Sequence, residues 1–449
     1  MKLKNRKPIG LEALEDRWVP ATIRFDGSNL TVSSPLITAG ASKIQVIETA
    51  TPGAFQVLDG VANNGTYAVT GNVTVLGNNA KDNVIFTVKT TLSGNLSVST
   101  GNGVSSVTVD GTAATSSVAG NTRINMGLGV SKALVGTTNG LSNKGSLSVS
   151  SRSSGVNTVG IGGGANSTFV GGPLSITGFN SVTLGGANKD VFAGGVNVNV
   201  SNGSFSSITL VATSKDLGNF TVQGGQGNTT VNVNAPVLGN ASLNLGNGTN
   251  SVSLATSTIG SLTYTGGNGS NTLATVGAAG TVTVLGNVAL NWGNGANILG
   301  PTTALTVQGN MSVNIGNGSL DAKTATFQAV VFGNLNVNTG NGNSSFTFDG
   351  TAGASVGGPF NYTGGNGGNN VTVNNATPNL ITLNVRFGNN TGTGAAATSN
   401  VFVIGAGATA GTLTGLVSWG VPSLTINGNA FVDNGYVWMN NVTLLNVPS

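Results

Sequence analysis

Thirteen carboxylates, no histidine and no cysteine leave this chain a short list of chemistries. Without imidazole or thiolate there is no base for its many serines, no sulfur nucleophile and no zinc site built on nitrogen or sulfur. What remains for a carboxylate is acid–base catalysis in pairs, or oxygen ligation of calcium. Asp110 and Asp349 invite pairing because they sit in matching contexts, "TVDGTA" and "TFDGTA". They are 239 residues apart (349 − 110), which is ten units of the repeat described below. At about 4.8 Å per stacked strand that is roughly 48 Å, whereas glycosidase carboxyls must lie about 5 to 10 Å apart. Asp-Gly at a strand end is a common turn, and both residues are read that way. Three Lys-Asp pairs, at 81–82, 189–190 and 215–216, read as solvated turn charges. Asp190 and Asp216 fall at different phases of the repeat and are not expected to stack. Glu48 is the sole glutamate beyond residue 22, and its own segment offers no partner. No catalytic residue is assigned, and the chain is expected not to be an enzyme.

The elements that position these groups follow from composition. A chain of 449 residues with 7% charged residues and 72 glycines departs from ordinary globular usage and points to a repetitive architecture. Its 38% hydrophobic content, mostly aliphatic, is enough to bury a core and is unlike that of a disordered chain. The formal charge is +4, but residues 1–22 carry five basic and three acidic side chains, which leaves the body at +2 (17 − 5 = 12 basic, 13 − 3 = 10 acidic). Clustered basic residues interleaved with aromatics are absent, so no nucleic-acid partner is expected. No run approaches the roughly 18 apolar residues of a membrane-spanning helix, so no transmembrane segment is expected.

From Gly71 onward one unit recurs: "GNVTVLGNNAKDNVIF" at 71, "GNLSVSTGNGVSSVTVDG" at 94, "GNFTVQGGQGNTTVNV" at 218, "GNASLNLGNGTNSVSL" at 239 and "GNLNVNTGNGNSSFTFDG" at 333. Weaker copies start at 120, 145, 172, 195, 260, 286, 309 and 358, giving twelve intervals with a mean of about 24 ((358 − 71)/12). Within a copy, Leu96 and Val98 alternate with Ser97 and Ser99, then "TGNG" interrupts, then Val107 and Val109 alternate with Ser106 and Thr108. Period-2 alternation marks two half-buried strands. The "GNG" glycines are expected to supply positive φ at a tight corner. A looser third stretch, "TAATSSVAG", completes the coil with Val118 as its inward residue. Such a coil cannot close a core alone, but stacked copies cover one another. The fold class is therefore all-β, a single elongated parallel β-helix or β-solenoid. Corner asparagines Asn102, Asn247, Asn268, Asn294, Asn317, Asn341 and Asn366 occupy equivalent positions and are expected to form amide ladders between neighbouring coils.

The stretch "YTGGNGSNTLA", residues 264–274, resembles the RTX calcium-binding nonapeptide G-G-x-G-x-D-x-U-x. That family's loops ligate calcium through the aspartate at the sixth position. Asn271 stands there in this chain, as do Asn250 and Asn369 in other copies, and Ser105 and Ser344 in two more. Only Asp82 in "GNNAKDNVI" and Asp190 in "GGANKDVFAGG" keep a carboxylate. RTX sites repeat every 18 residues rather than about 24, so no stacked calcium column is expected. Asp82 and Asp190 stand as isolated, weak calcium candidates, and no other cofactor is expected.

The segment "LEALEDRWVPA", Leu11 to Ala21, resembles the amino-terminal motif L-E-x-L-E-D-R-x-V-P-A of exported planctomycete proteins. The resemblance implies export, with processing near Ala21, and supplies no activity. The organisation read from these features is an export-type motif at 1–22, capping coils at 23–70, solenoid repeats at 71–378, and terminal coils with a carboxy-terminal cap at 379–449. In that last segment the period fades and Trp419, Tyr436 and Trp438 appear. The expected role is a non-catalytic, exported surface or matrix solenoid, structural or adhesive, that binds polysaccharide or other copies of itself. The alternatives are an RTX-like calcium-binding protein and a polysaccharide-active β-helix lyase or hydrolase.

Overall fold

A computed structural model describes residues 21–34, 42–79 and 81–374, apart from gaps at 201–204, 212–213, 217, 256–257, 277–280, 302–303, 328 and 350–353, together with strand segments 383–387, 401–404, 423–426 and 444–445. The motif up to residue 20 lies outside the described residues, as do Trp419, Tyr436 and Trp438.

Alternation in the sequence becomes alternation in burial. In one coil, Leu96 and Val98 point inward and are buried, while Ser97 and Ser99 face out. Each coil has three faces. The first is carried by β6 (Val73–Leu76) and, one coil on, by β9 (Leu96–Ser99). The second is carried by β7 (Asp82–Val88) and β10 (Ser105–Gly111), and the third by the two-residue β8 (Thr91–Leu92) and β11 (Ser117–Val118). Successive coils pair in parallel on every face: Val75 with Val98, Val84 with Val107, Leu92 with Val118. Among the described residues the chain is strand and turn, with no helix.

The core is a set of columns rather than a globule. One runs Val75, Val98, Ile124, Val149, Ile176, Val198, Val222, Leu243, Tyr264, Leu290, Val313, Val337, Tyr362, each paired in register with the next and each buried. Burying one such aliphatic side chain contributes about 1.5–3 kcal/mol, and each coil gains it only because its neighbours cover it. Val118, the inward residue of the third face, is fully buried. Where the repeat shortens to 21 residues, the third and first faces merge into single strands, Val237–Asn244 and Thr258–Thr265.

At the first end the parallel pattern stops. Strands β2 (Leu30–Ser33) and β3 (Ser42–Glu48) still pair in parallel with β6 and β7. Beyond them β1 (Thr22–Phe25) runs antiparallel to β2, and β4 (Ala54–Asp59) antiparallel to β3, with β5 (Ala62–Ala68) antiparallel to β4. These reversed strands occupy edges on which a further parallel coil would otherwise stack.

The "GNG" glycines do a different job from the one expected. Among the described corner glycines of this type only Gly246 has a positive φ, +74°. The others are required by close approach between coils: a Cβ on Gly295 would lie 2.2 Å from the Gly269 carbonyl oxygen, and one on Gly318 2.1 Å from that of Gly295. Left-handed glycines instead sit at the corner after the second face, as at Gly162 (+82°) and Gly163 (+89°).

Candidate functional site

The carboxylates are the groups with most chemical potential, and the structure buries five of them: Glu48, Asp59, Asp82, Asp110 and Asp190. The reading of Lys81–Asp82 and Lys189–Asp190 as solvated pairs is corrected accordingly. The lysines are exposed, but both aspartates turn inward and are consumed by backbone N–H groups. Asp82 accepts from the N–H of Asn78 (3.3 Å) and, from the next coil, of Gly101 (3.2 Å). Asp190 accepts from Gly163 (3.1 Å) and Thr168 (2.5 Å) of the coil before it. Burial pushes the Asp190 carboxyl above its ordinary pKa, and the N–H groups of Thr168, Gly163 and Gly186 offset only part of that. Asp110 closes the same kind of corner, accepting from Thr138 (2.8 Å) and Asn139 (3.0 Å) one coil on. Asp216 is in register with Phe192, two residues beyond Asp190, so the two aspartates do not stack. The Asp349 side chain lies outside the described residues.

Glu48 has partners that its own segment does not reveal. Its carboxylate accepts the N–H of Gly53 (2.8 Å), Lys89 (2.6 Å) and Thr90 (2.7 Å), and the Thr90 hydroxyl. Burial acts to raise its pKa, but the bonds from Thr90, Gly53 and Lys89 outweigh it and hold the group below its ordinary value. It fastens the β3–β4 turn to the coil above. Asp59 likewise accepts the Ala21 N–H at 2.8 Å, although burial leaves its pKa raised.

Asp82 and Asp190 are not brought together: Asp82 lies at the corner before the second face, Asp190 at the corner before the third, several coils away. Both present oxygens to N–H donors, whereas calcium requires six to eight oxygens. Among the described residues no three of His, Cys, Asp or Glu gather in a group able to hold a metal.

Three asparagines at the aspartate position, Asn250, Asn271 and Asn297, form a buried column, and Asn369 stands in the same register beyond Leu320 and Ser344. Asn250, Asn271, Asn297 and Asn369 are at most 1% exposed. Asn250 Nδ2 donates to Asn271 Oδ1 at 3.0 Å, and Asn271 Nδ2 to Asn297 Oδ1 at 2.9 Å. Each also ties its own corner: Asn271 Nδ2 donates to the carbonyls of Gly267 (3.1 Å) and Gly269 (2.9 Å), and Asn369 Nδ2 does the same at Gly365 and Gly367. An amide donates to carbonyls that a carboxylate would repel. Asn297 is a member that the nonapeptide comparison misses. The pattern G-N-G-x-N, read with the x outward and the last residue inward, identifies it.

The exposed corner asparagines form a second column with different bonds. The side-chain oxygens of Asn247, Asn268, Asn294, Asn317 and Asn341 accept the backbone N–H of Asn268, Asn294, Asn317, Asn341 and Asn366 in turn.

One surface groove stands apart from this uniform amide and hydroxyl surface. It encloses about 310 Å³ on the outer side of the first face, lined by Ser99, Asn102, Arg123, Asn125, Ser150 and Arg152 among others. Arg123 Nε donates to Asn125 Oδ1 (3.2 Å), which also accepts the Ser150 hydroxyl (3.0 Å). Leu128, 61% exposed, donates its N–H to Asn102 at the groove's edge. Over residues 82–190 the cations are Lys89, Arg123, Lys132, Lys144, Arg152 and Lys189, all exposed, and the three carboxylates, Asp82, Asp110 and Asp190, are all buried. Sequence reading missed this site because Arg123 and Arg152 are 29 residues apart (152 − 123) and meet only through coil stacking.

No protein-family model matches the chain, and neither does any curated protein or any solved structure. Among the described residues no helix is long and apolar enough to cross a membrane.

Proposed function

We propose that this chain is a non-catalytic, exported β-solenoid with a structural or adhesive role at the cell surface or in the extracellular matrix, binding polysaccharide or other copies of itself. The observation that carries the non-catalytic part is the fate of the buried carboxylates. Each accepts backbone N–H groups that fasten segments or coils together, a structural use that supports the non-catalytic reading. Export rests on the resemblance of Leu11 to Ala21 to an exported-protein motif. The adhesive part is supported by flanks of exposed amides and hydroxyls carrying few charges, which suit multiple weak hydrogen bonds to hydroxyl-rich polymers.

A glycan array probed with the purified chain, with and without calcium, tests the reading. Binding to a glycan class without turnover supports adhesion. Silence on every glycan combined with concentration-dependent association in sedimentation assigns scaffolding by self-assembly. Release of shortened or unsaturated products from any bound glycan refutes the non-catalytic reading.

A further inference from the structure

We infer that the groove between Arg123 and Arg152 is a subsite for an anionic polysaccharide, one carrying carboxylates or sulfate esters. This rests on the adhesive reading and specifies its ligand.

Four observations converge. First, the groove holds two guanidinium groups and, among its lining residues, no carboxylate to neutralise them. Arginine's planar fork matches a carboxylate or sulfate bidentately. Second, Arg123 is held in place: its Nε bond to Asn125, itself bonded by Ser150, fixes the guanidinium and leaves its terminal N–H groups for a ligand. A pre-oriented cation loses less side-chain entropy on binding. Third, Arg123 is in register with Ser148, so Arg152 lies one coil on and four residues further along the strand direction. At about 3.3 Å per residue and 4.8 Å per coil, the two Cα atoms are roughly 14 Å apart. That separation suits successive charges on a polymer better than one small anion. Fourth, the coils around the groove are net positive: over residues 82–190 six exposed cations stand against three carboxylates, all buried, and that long-range field favours approach of a polyanion.

The remaining lining suits a sugar. Ser99, Asn102 and Ser150 offer hydroxyl and amide groups, and the exposed Leu128 beside Asn102 offers aliphatic surface to ring C–H faces. No aromatic side chain lines the groove, so the stacking platform of a single-stranded nucleic-acid site is missing.

Calorimetric titration of the full chain at low salt, with four probes, tests this. The probes are an oligouronide, a sulfated oligosaccharide, a neutral oligoglucan and an oligonucleotide of matched charge. At least one anionic oligosaccharide is expected to bind at least about tenfold more tightly than the oligonucleotide or the neutral glucan, with affinity falling as salt rises. Which anionic probe binds distinguishes carboxylate from sulfate recognition. Arg123→Gln with Arg152→Gln, both exposed and compatible with folding as checked by circular dichroism, is expected to weaken that binding about 10 to 100-fold. Lys132→Gln with Lys144→Gln removes the same charge outside the groove and is expected to change it by no more than about threefold.

Equal losses in the two double variants, equal or tighter oligonucleotide binding, or inorganic sulfate binding as tightly as the oligomer would each overturn the inference. If only neutral glycans bind, the inference fails and the adhesive reading stands. If no glycan binds, both fail.

Discussion

Residues 82–190 and 217–320 have the same fold, but the first is charged and the second is not. The first stretch carries six cations and three carboxylates, all three buried, while the second carries no charged side chain in 104 consecutive residues (320 − 216). The two regions also set buried polar side chains at different corners, with different chemistry: Asp110 and Asp190 lie between the second and third faces, Asn250, Asn271 and Asn297 before the second. The early coils use Asp82, Asp110 and Asp190 to accept N–H groups of neighbouring coils. The later coils use Asn250, Asn271 and Asn297, which donate to carbonyls of their own corner and to each other. A stacked coil can therefore be closed by an acceptor or by a donor, according to which backbone groups its corner leaves open. Only the acceptor version puts charge inside the rod.

Exchanging the two chemistries is the most direct way to break the comparison. Asn271→Asp places a carboxylate against the carbonyls of Gly267 and Gly269 and against Asn297 Oδ1. A buried charge without compensation costs about 3–5 kcal/mol, seen as a lower urea midpoint at pH 7 and partly recovered near pH 4 where the new carboxyl protonates. Added calcium is expected not to restore it. Full rescue by millimolar calcium would show that these corners are metal sites lacking only their charge.

The reverse exchange, Asp190→Asn, leaves one of the Gly163 and Thr168 N–H groups facing an amide donor. One orphaned buried donor costs about 1–3 kcal/mol, so hydrogen exchange at those two amides should accelerate while protection at Asn271 is unchanged. Because a solenoid couples nearest neighbours, spread of the effect to residues 250–297 would contradict the local picture.

Gly295→Ala tests the geometry that the two regions share. Its Cβ would lie 2.2 Å from the Gly269 oxygen, so the coils must separate locally, at about 1–3 kcal/mol as for other overpacked sites. A wild-type urea midpoint in this variant would show that close approach does not make glycine obligatory at this corner.

The smallest effect is the most diagnostic of the charge difference. Glu48 has a folded-state pKa below its unfolded value of 4.5, so its contribution is complete above that value and is lost as pH falls through the folded pKa. Asp190 is shifted the other way: its folded pKa lies above 3.8, so its contribution is present below 3.8 and lost as pH rises through the folded value. Amide protection at Lys89 and Thr90, corrected for intrinsic exchange, is expected to fall on acidification below about 4.5, while that at Asn271 and Asn297 holds. Equal pH dependence in both regions would remove the distinction.

Much of the architecture was legible along the chain. The alternation of Leu96, Val98, Val107 and Val109 is a local property of neighbouring residues, and period 2 has one structural meaning when an interior must be filled. Val118 could be read inward for the same reason. The partners of Glu48 could not, because Lys89 and Thr90 lie over 40 residues away and become neighbours only when β3 pairs with β7. The lysine-aspartate pairs misled for a related reason: adjacent residues on a strand or corner face opposite ways, so Lys81 reaches water while Asp82 turns inward.

Residue type and spacing within one coil were enough to specify the repeat, the strands, the inward aliphatic columns and the scarcity of chemistry. Tertiary stacking decided which polar groups meet. It turned five carboxylates into buried acceptors, made glycine obligatory where coil presses on coil, and brought Arg123 and Arg152 to one groove. The physical reason is one of direction: side-chain alternation runs along the chain, whereas hydrogen bonds and charge recognition in a solenoid run across it, from each coil to the next.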